Sequence, residues 1–128
     1  MEKERKRILV VDDESPIAEM ISDFCRSFGF DTRTVYCGGD ALREVKSYRP
    51  DLITLDLIMT EFSGLEVLQA LKGDEGTRNI PVLVISALAN SEEAGDALKL
   101  YQGVLAKPLK MDDLESKIAQ MLSSIGRG

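Results

Sequence analysis

Five residues of this 128-residue chain stand directly after short apolar runs and carry groups able to do chemistry. Asp12 and Asp13 follow "ILVV", Asp56 follows "LITL", Ser86 follows "VLVI" and Lys107 follows "GVLA". Three carboxylates, a hydroxyl and an ammonium are the result. Histidine is absent, which removes imidazole bases, His metal ligands and phosphohistidine from the chain and leaves carboxylates, hydroxyls and lysines as its chemical tools. Two carboxylates about 4 Å apart repel by roughly 4 kcal/mol at an effective dielectric of about 20, so three gathered acids demand a cation. Lys107 can neutralise one charge. Hard oxygen ligands without His or Cys suit Mg²⁺, which takes one or two carboxylates plus phosphate oxygens and keeps several waters. An open Mg²⁺ site beside a carboxylate and a lysine is equipped for phosphoryl transfer, with Asp56 as the nucleophile that carries the acyl phosphate.

That chemistry requires the five residues to meet, and the pattern around them says how. Apolar runs of strand length alternate with segments of helical period, the signature of βα units around a parallel sheet. Strands are expected at Arg7 to Val11, Asp31 to Tyr36, Leu52 to Leu55, Pro81 to Ile85 and Gly103 to Ala106. Five helices are expected with them. The first has Ser15 as N-cap, Pro16 at its first position and Gly29 closing its end, with Ile17, Met20, Ile21, Phe24 and Phe28 on one face. The others lie near Gly39 to Ser47, Gly64 to Leu71 and Ser91 to Lys99, and in a last helix capped by Asp112 or Asp113. "LVV", "LITL" and "VLVI" are apolar at successive positions, as strands covered on both faces must be, whereas "DTRTV" alternates and suits an edge. The expected fold is α/β, a doubly wound, five-stranded parallel sheet flanked by five helices; the second strand at one edge and the short fifth at the other are compatible with the flavodoxin-like order 2-1-3-4-5. In such a sheet the working crevice lies outside the carboxyl ends of the strands, where all five chemical residues stand.

Composition bounds the rest. The length fits one domain, residues 1–128, with 1–6 a solvated start and 123–128 a tail. A net charge of -6 argues against direct nucleic-acid binding, no signal peptide is apparent, and no run approaches the ~20 apolar residues of a membrane span, so a cytoplasmic protein is expected. Cys25 and Cys37 have no metal or redox spacing and are expected as reduced thiols.

The blocks "ILVVDDES", "DLITLDLIMTEFSGLE", "PVLVISA" and "VLAKPL" together resemble, in order and spacing, a response-regulator receiver domain of the chemotaxis type, and the resemblance runs from Arg7 to Ile125. It implies a two-component phosphoprotein in which Asp56 accepts a phosphoryl group from a histidine kinase or histidine phosphotransfer protein. Asp13 would bind Mg²⁺ directly, Asp12 mainly through water, and the Ile58 backbone carbonyl would complete the protein ligands. Lys107 would pair with the phosphoryl oxygens, and Ser86 would hydrogen-bond one of them on switching. Gly64 matches the family's glycine at the start of the third helix. Such a domain catalyses its own phosphorylation and dephosphorylation without being a metabolic enzyme. It signals by docking an effector, by dimerising with itself, or by passing phosphate along a relay.

Several positions depart from the family pattern. Thr60 stands where Pro is usual, Leu109 for Phe, Leu100-Tyr101 for Gly-Ala, and Val104 for the switch aromatic. None removes a catalytic group, but Val104 cannot report by swinging an aromatic ring, so an altered output surface is expected. Tyr101 is a candidate substitute for that aromatic. Ile58 and Leu88, two residues beyond Asp56 and Ser86, are apolar and would shield the acyl phosphate from water. Glu14 is expected as a solvated turn residue. Three rivals remain: a phosphorylation-independent pseudo-receiver that acts as an interaction module, a haloacid-dehalogenase-type phosphatase, and a nucleotide-binding domain. The phosphatase lacks its second Asp two residues after the nucleophile, and no G-x-G-x-x-G or P-loop follows the first strand.

Overall fold

The computed structural model describes residues 5–59, 63–87 and 102–125. Five strands, β1 (Arg7–Val11), β2 (Asp31–Val35), β3 (Leu52–Leu55), β4 (Val82–Ser86) and β5 (Gly103–Ala106), alternate with four helices among these residues. The helices are α1 (Ser15–Ser27), α2 (Gly38–Tyr48), α3 (Gly64–Gly73) and α4 (Met111–Ile125). All strand pairs are parallel, in the order β2-β1-β3-β4-β5. The helix expected over Ser91 to Lys99 lies outside the described residues, as do Thr60, Leu88, Leu100 and Tyr101.

Alternation along β1 shows why both sheet faces are covered. Leu9 and Val11 join Ala41 and Val45 of α2 and Val67, Leu68 and Leu71 of α3 in one core. Ile8 and Val10 join Ala18, Ile21 and Cys25 of α1 and Leu114, Ile118 and Met121 of α4 in the other. The side chains of Ile8, Leu9 and Val10 are wholly removed from solvent, each contributing about 1.5–3 kcal/mol of apolar burial. Edge strand β2 alternates exposed and half-buried positions until Val35, as its polar sequence requires.

Two caps differ from expectation. Glu14, not Ser15, is the N-cap of α1, with an extended backbone (φ -88°, ψ 99°) and no side-chain cap bond. The reason is a turn at Asp12, which accepts the Glu14 N–H (2.9 Å) and starts the helix one residue early, with the Ala18 N–H donating to the Glu14 carbonyl (2.9 Å). Likewise α4 begins at Met111, its first turn set by the Leu114 N–H donating to the Lys110 carbonyl (3.1 Å). Asp112 and Asp113 thus sit inside that first turn, where they complement the helix dipole rather than cap it. The close of α1 is as expected: Gly29 sits at φ 99°, a left-handed conformation open to it because it has no Cβ.

Candidate functional site

The sheet ladder continues past its strand ends and fixes the site from the backbone outward. The Asp12 N–H donates to the Val35 carbonyl (3.3 Å), the Asp56 N–H to the Val11 carbonyl (3.1 Å) and the Lys107 N–H to the Ser86 carbonyl (3.2 Å). Two turns of one kind then aim the carboxylates. Asp12 Oδ1 accepts from the Glu14 N–H (2.9 Å) and Asp56 Oδ1 from the Ile58 N–H (3.1 Å), the local bond two residues on that Asp favours. In both, Oδ2 is left for Lys107, whose Nζ donates to Asp12 Oδ2 (2.9 Å) and to Asp56 Oδ2 (3.0 Å).

Behind Asp56 the backbone is braced by α3. The Gly64 N–H donates to the Leu57 carbonyl (3.0 Å), and a Cβ on Gly64 would lie 2.0 Å from the Asp56 carbonyl oxygen and 2.4 Å from Leu57 Cα. Only glycine permits that approach. Ser63 starts α3 as half of a capping box, its Oγ accepting from the Glu66 N–H (3.2 Å) while Glu66 Oε1 accepts from the Ser63 N–H (3.3 Å).

Burial sets the electrostatics. Asp12 and Asp56 are 1% and 3% exposed. Burial foremost pushes the Asp12 carboxyl above the usual carboxylate range, with the Asp56 charge adding to it, against the lowering effect of the Glu14 N–H and of Lys107. For Lys107 burial works against the charge, but the hydrogen bonds it donates to Asp12 and Asp56 and the charges of those two carboxylates outweigh it, and the ammonium is held protonated above the ordinary lysine range. Oxygens of Asp12, Asp13 and Asp56 all lie within 4.8 Å of one another. That spacing, with an all-oxygen donor set and acids outnumbering the lysine, fits a divalent cation of the Mg²⁺ type.

The structure thus brings together Asp12, Asp13, Asp56 and Lys107 from β1, β3 and β5. Ser86 ends β4, fully buried and in register with Ala106. Ile58 is 48% exposed, and its backbone N–H donates to Asp56 Oδ1. Sequence reasoning missed Glu14. Its Oε1 accepts from Lys107 Nζ (3.1 Å), a third carboxylate on the same ammonium. The signal was an acid two residues after Asp12; the turn that directs it toward Lys107 was not legible.

A cleft of about 570 Å³ at the opposite, amino edge of the sheet is lined by Arg5, Arg7, Arg26, Arg33 and Tyr48. Of its arginines, Arg5 is paired with Asp31 in the lining (3.9 Å), Arg26 and Arg33 are paired with Asp23 (3.7 Å) and Glu44 outside it, and Arg7 donates to the Tyr48 carbonyl (2.8 Å). The Arg7 bond to Tyr48 ties the end of α2 to β1, and the Arg26 Nε–H donating to Thr32 Oγ1 (2.9 Å) ties the end of α1 to β2.

Residues 8–119 match the response regulator receiver domain family. Over 125 residues the chain is 34% identical to the DNA-binding response regulator MtrA of Mycobacterium bovis, covering 95% of this chain and 53% of that protein. It therefore spans about half the length of such curated relatives. Over 110 residues it is 33% identical to the polar-differentiation response regulator DivK of Brucella ovis, covering 83% of this chain and 87% of that one. The crystal structure of the signal receiver domain of a signal transduction histidine kinase from Syntrophus aciditrophicus matches with a TM-score of 0.87 and 31% identity, covering 96% of this chain and 94% of that one. With its strand order, its acidic cluster and these matches in agreement, the chain belongs to the response regulator receiver domain family.

Proposed function

We propose that the chain accepts a phosphoryl group on Asp56 from a histidine kinase or histidine phosphotransfer protein, in a Mg²⁺-dependent reaction, and that phosphorylation switches a protein-interaction surface. The observation that carries this is a buried Asp56 carboxylate within 4.8 Å of Asp12 and Asp13 and 3.0 Å from Lys107. In the transfer, an Asp56 oxygen forms the new P–O bond as the P–N bond to the donor imidazole breaks, and that nitrogen keeps the electron pair and takes up a proton. Asp12, Asp13, Asp56 and the Ile58 carbonyl would hold the Mg²⁺, whose charge stabilises the phosphoryl oxygens. Lys107 shifts its hydrogen bond from Asp56 to a phosphoryl oxygen, because negative charge leaves the phosphorylated carboxyl and gathers there. Ser86, at the end of β4, donates to another. Ile58, apolar and two residues beyond Asp56, would shield the acyl phosphate from water, and the phosphorylated state is expected to last minutes or more.

The test is incubation with Mg²⁺ and acetyl phosphate followed by intact-mass measurement. A single phosphoryl adduct is expected on the native chain and none on Asp56→Asn. A second reading, a phosphorylation-independent interaction module, is favoured by Val104, which stands where the family's switch aromatic is usual and packs half-buried against the α2–α3 core. That reading gains if the native chain takes up no phosphoryl group and shows no Mg²⁺-dependent binding of beryllium fluoride. No described helix is long and apolar enough to cross a membrane. The proposed setting is the cytoplasm, the proposed partners are a kinase or phosphotransfer protein and a protein effector or second copy, and the net charge of -6 gives no reason to add nucleic acid.

A further inference from the structure

We propose that Glu14 is a positioning residue that acts through Lys107, drawing its ammonium toward the solvent side of the acidic pocket so that Mg²⁺ can take the oxygens of Asp12 and Asp56. The inference deepens the proposed function and rests on the pocket being a Mg²⁺ site. Lys107 Nζ has three donors and three acid partners, at 2.9 Å (Asp12), 3.0 Å (Asp56) and 3.1 Å (Glu14). The partners are unequal. The Asp12 and Asp56 side chains are almost wholly buried, whereas that of Glu14 is 61% exposed. Its backbone is pinned on both sides, the N–H by Asp12 Oδ1 (2.9 Å) and the carbonyl by the Ala18 N–H (2.9 Å). The carboxylate therefore reaches Lys107 from a fixed starting point, with the length of a glutamate.

Mg²⁺ and the ammonium compete for the same buried oxygens, since both are cations and both take Asp12 and Asp56. When the dication enters, Lys107 must loosen its hold on them. Without Glu14 it would do so toward water alone; with Glu14 it keeps a charged partner at the rim. The Glu14 contact thus lowers the cost of yielding the two aspartates and keeps Nζ close enough to meet a phosphoryl group.

A double-mutant cycle on the full chain, read as the Mg²⁺ dissociation constant by titration calorimetry, separates this role from a simple nearby charge. Glu14→Gln is expected to weaken Mg²⁺ binding by about two- to fivefold, the size of an ion pair with one exposed member. In a Lys107→Met background the same change is expected to have no effect. Glu14→Asp keeps the charge but withdraws it by one methylene, and is expected to lose affinity as Glu14→Gln does, which provides a readout should Lys107→Met not fold. Equal losses in both backgrounds, native affinity in Glu14→Asp, or no loss in Glu14→Gln would each overturn the proposal. Failure of the native chain to bind Mg²⁺ at all would remove the proposed function and this inference together; binding without coupling removes the inference alone.

Discussion

Lys107 donates to three carboxylates while lying mostly out of solvent, so the pH dependence of the metal-free protein follows from its contacts. Its pKa is raised by folding. The stability this contributes is fully present below the unfolded value of ~10.4 and is lost as pH rises above it toward the folded value. In EDTA, the thermal midpoint of the native chain is expected to fall as pH climbs past ~10.4, and Lys107→Met is expected to flatten that part of the curve. Burial raises the Cys25 thiol to about 12, which adds a fall of the same sign from a lower pH. The comparison with the variant therefore carries the test. Asp12 works in the opposite region. Its raised pKa makes metal-free folding less favourable as pH rises through the carboxylate range, a cost that a bound dication offsets. Mg²⁺ is accordingly expected to raise the thermal midpoint of the native chain at neutral pH, following the logarithm of its concentration over its dissociation constant, and to do so much less in Asp13→Asn.

Among the elements, the junction of β3 with α3 is the most constrained. Gly64 faces backbone rather than a movable side chain: the Asp56 carbonyl oxygen would lie 2.0 Å from a Cβ. Gly64→Ala must push α3 away from the segment that carries Asp56. It is expected to cost about 1–3 kcal/mol in denaturant unfolding, as overpacking does, and to slow phosphorylation by acetyl phosphate along with it. An unchanged rate and midpoint would show that the junction is softer than its geometry. Much of this architecture was legible in the sequence because β1, β3 and β4 are apolar at consecutive positions and the helix stripes are regular. The expected strand order rested on placing the alternating "DTRTV" of β2 at one edge and the short β5 at the other, which is compatible with the order found. What escaped were features set by turns. The turn at Asp12 moved the cap of α1 from Ser15 to Glu14 and sent the Glu14 side chain to Lys107, and neither outcome is written in periodicity or composition. The acidic cluster itself was legible because strand ends converge in a parallel sheet whatever their turns do.

At the scale of the whole molecule, two cores of different make-up meet across one sheet. The core under α1 and α4 contains Ile118, wholly buried, and Ile118→Ala is expected to cost about 2–5 kcal/mol, read as a lower denaturant midpoint at an unchanged slope. The same core carries Leu83 and Ile85 of β4 and half-buried Leu105 of β5, so the strands that end in Ser86 and lead to Lys107 share its rigidity. Val104 faces the other core, with α2 and α3. A signal that began at Asp56 and moved β4 and β5 would therefore reach both layers, without an aromatic at position 104. The proposed phosphoryl transfer makes Asp56, rather than either neighbouring acid, the nucleophile. That is tested most directly by treating the chain with Mg²⁺ and acetyl phosphate, reducing the acyl phosphate with borohydride, and locating the product by peptide mass spectrometry. Homoserine at position 56 alone is the expected result; homoserine at position 12 or 13, or none at all, would contradict Asp56 as the phosphoryl acceptor.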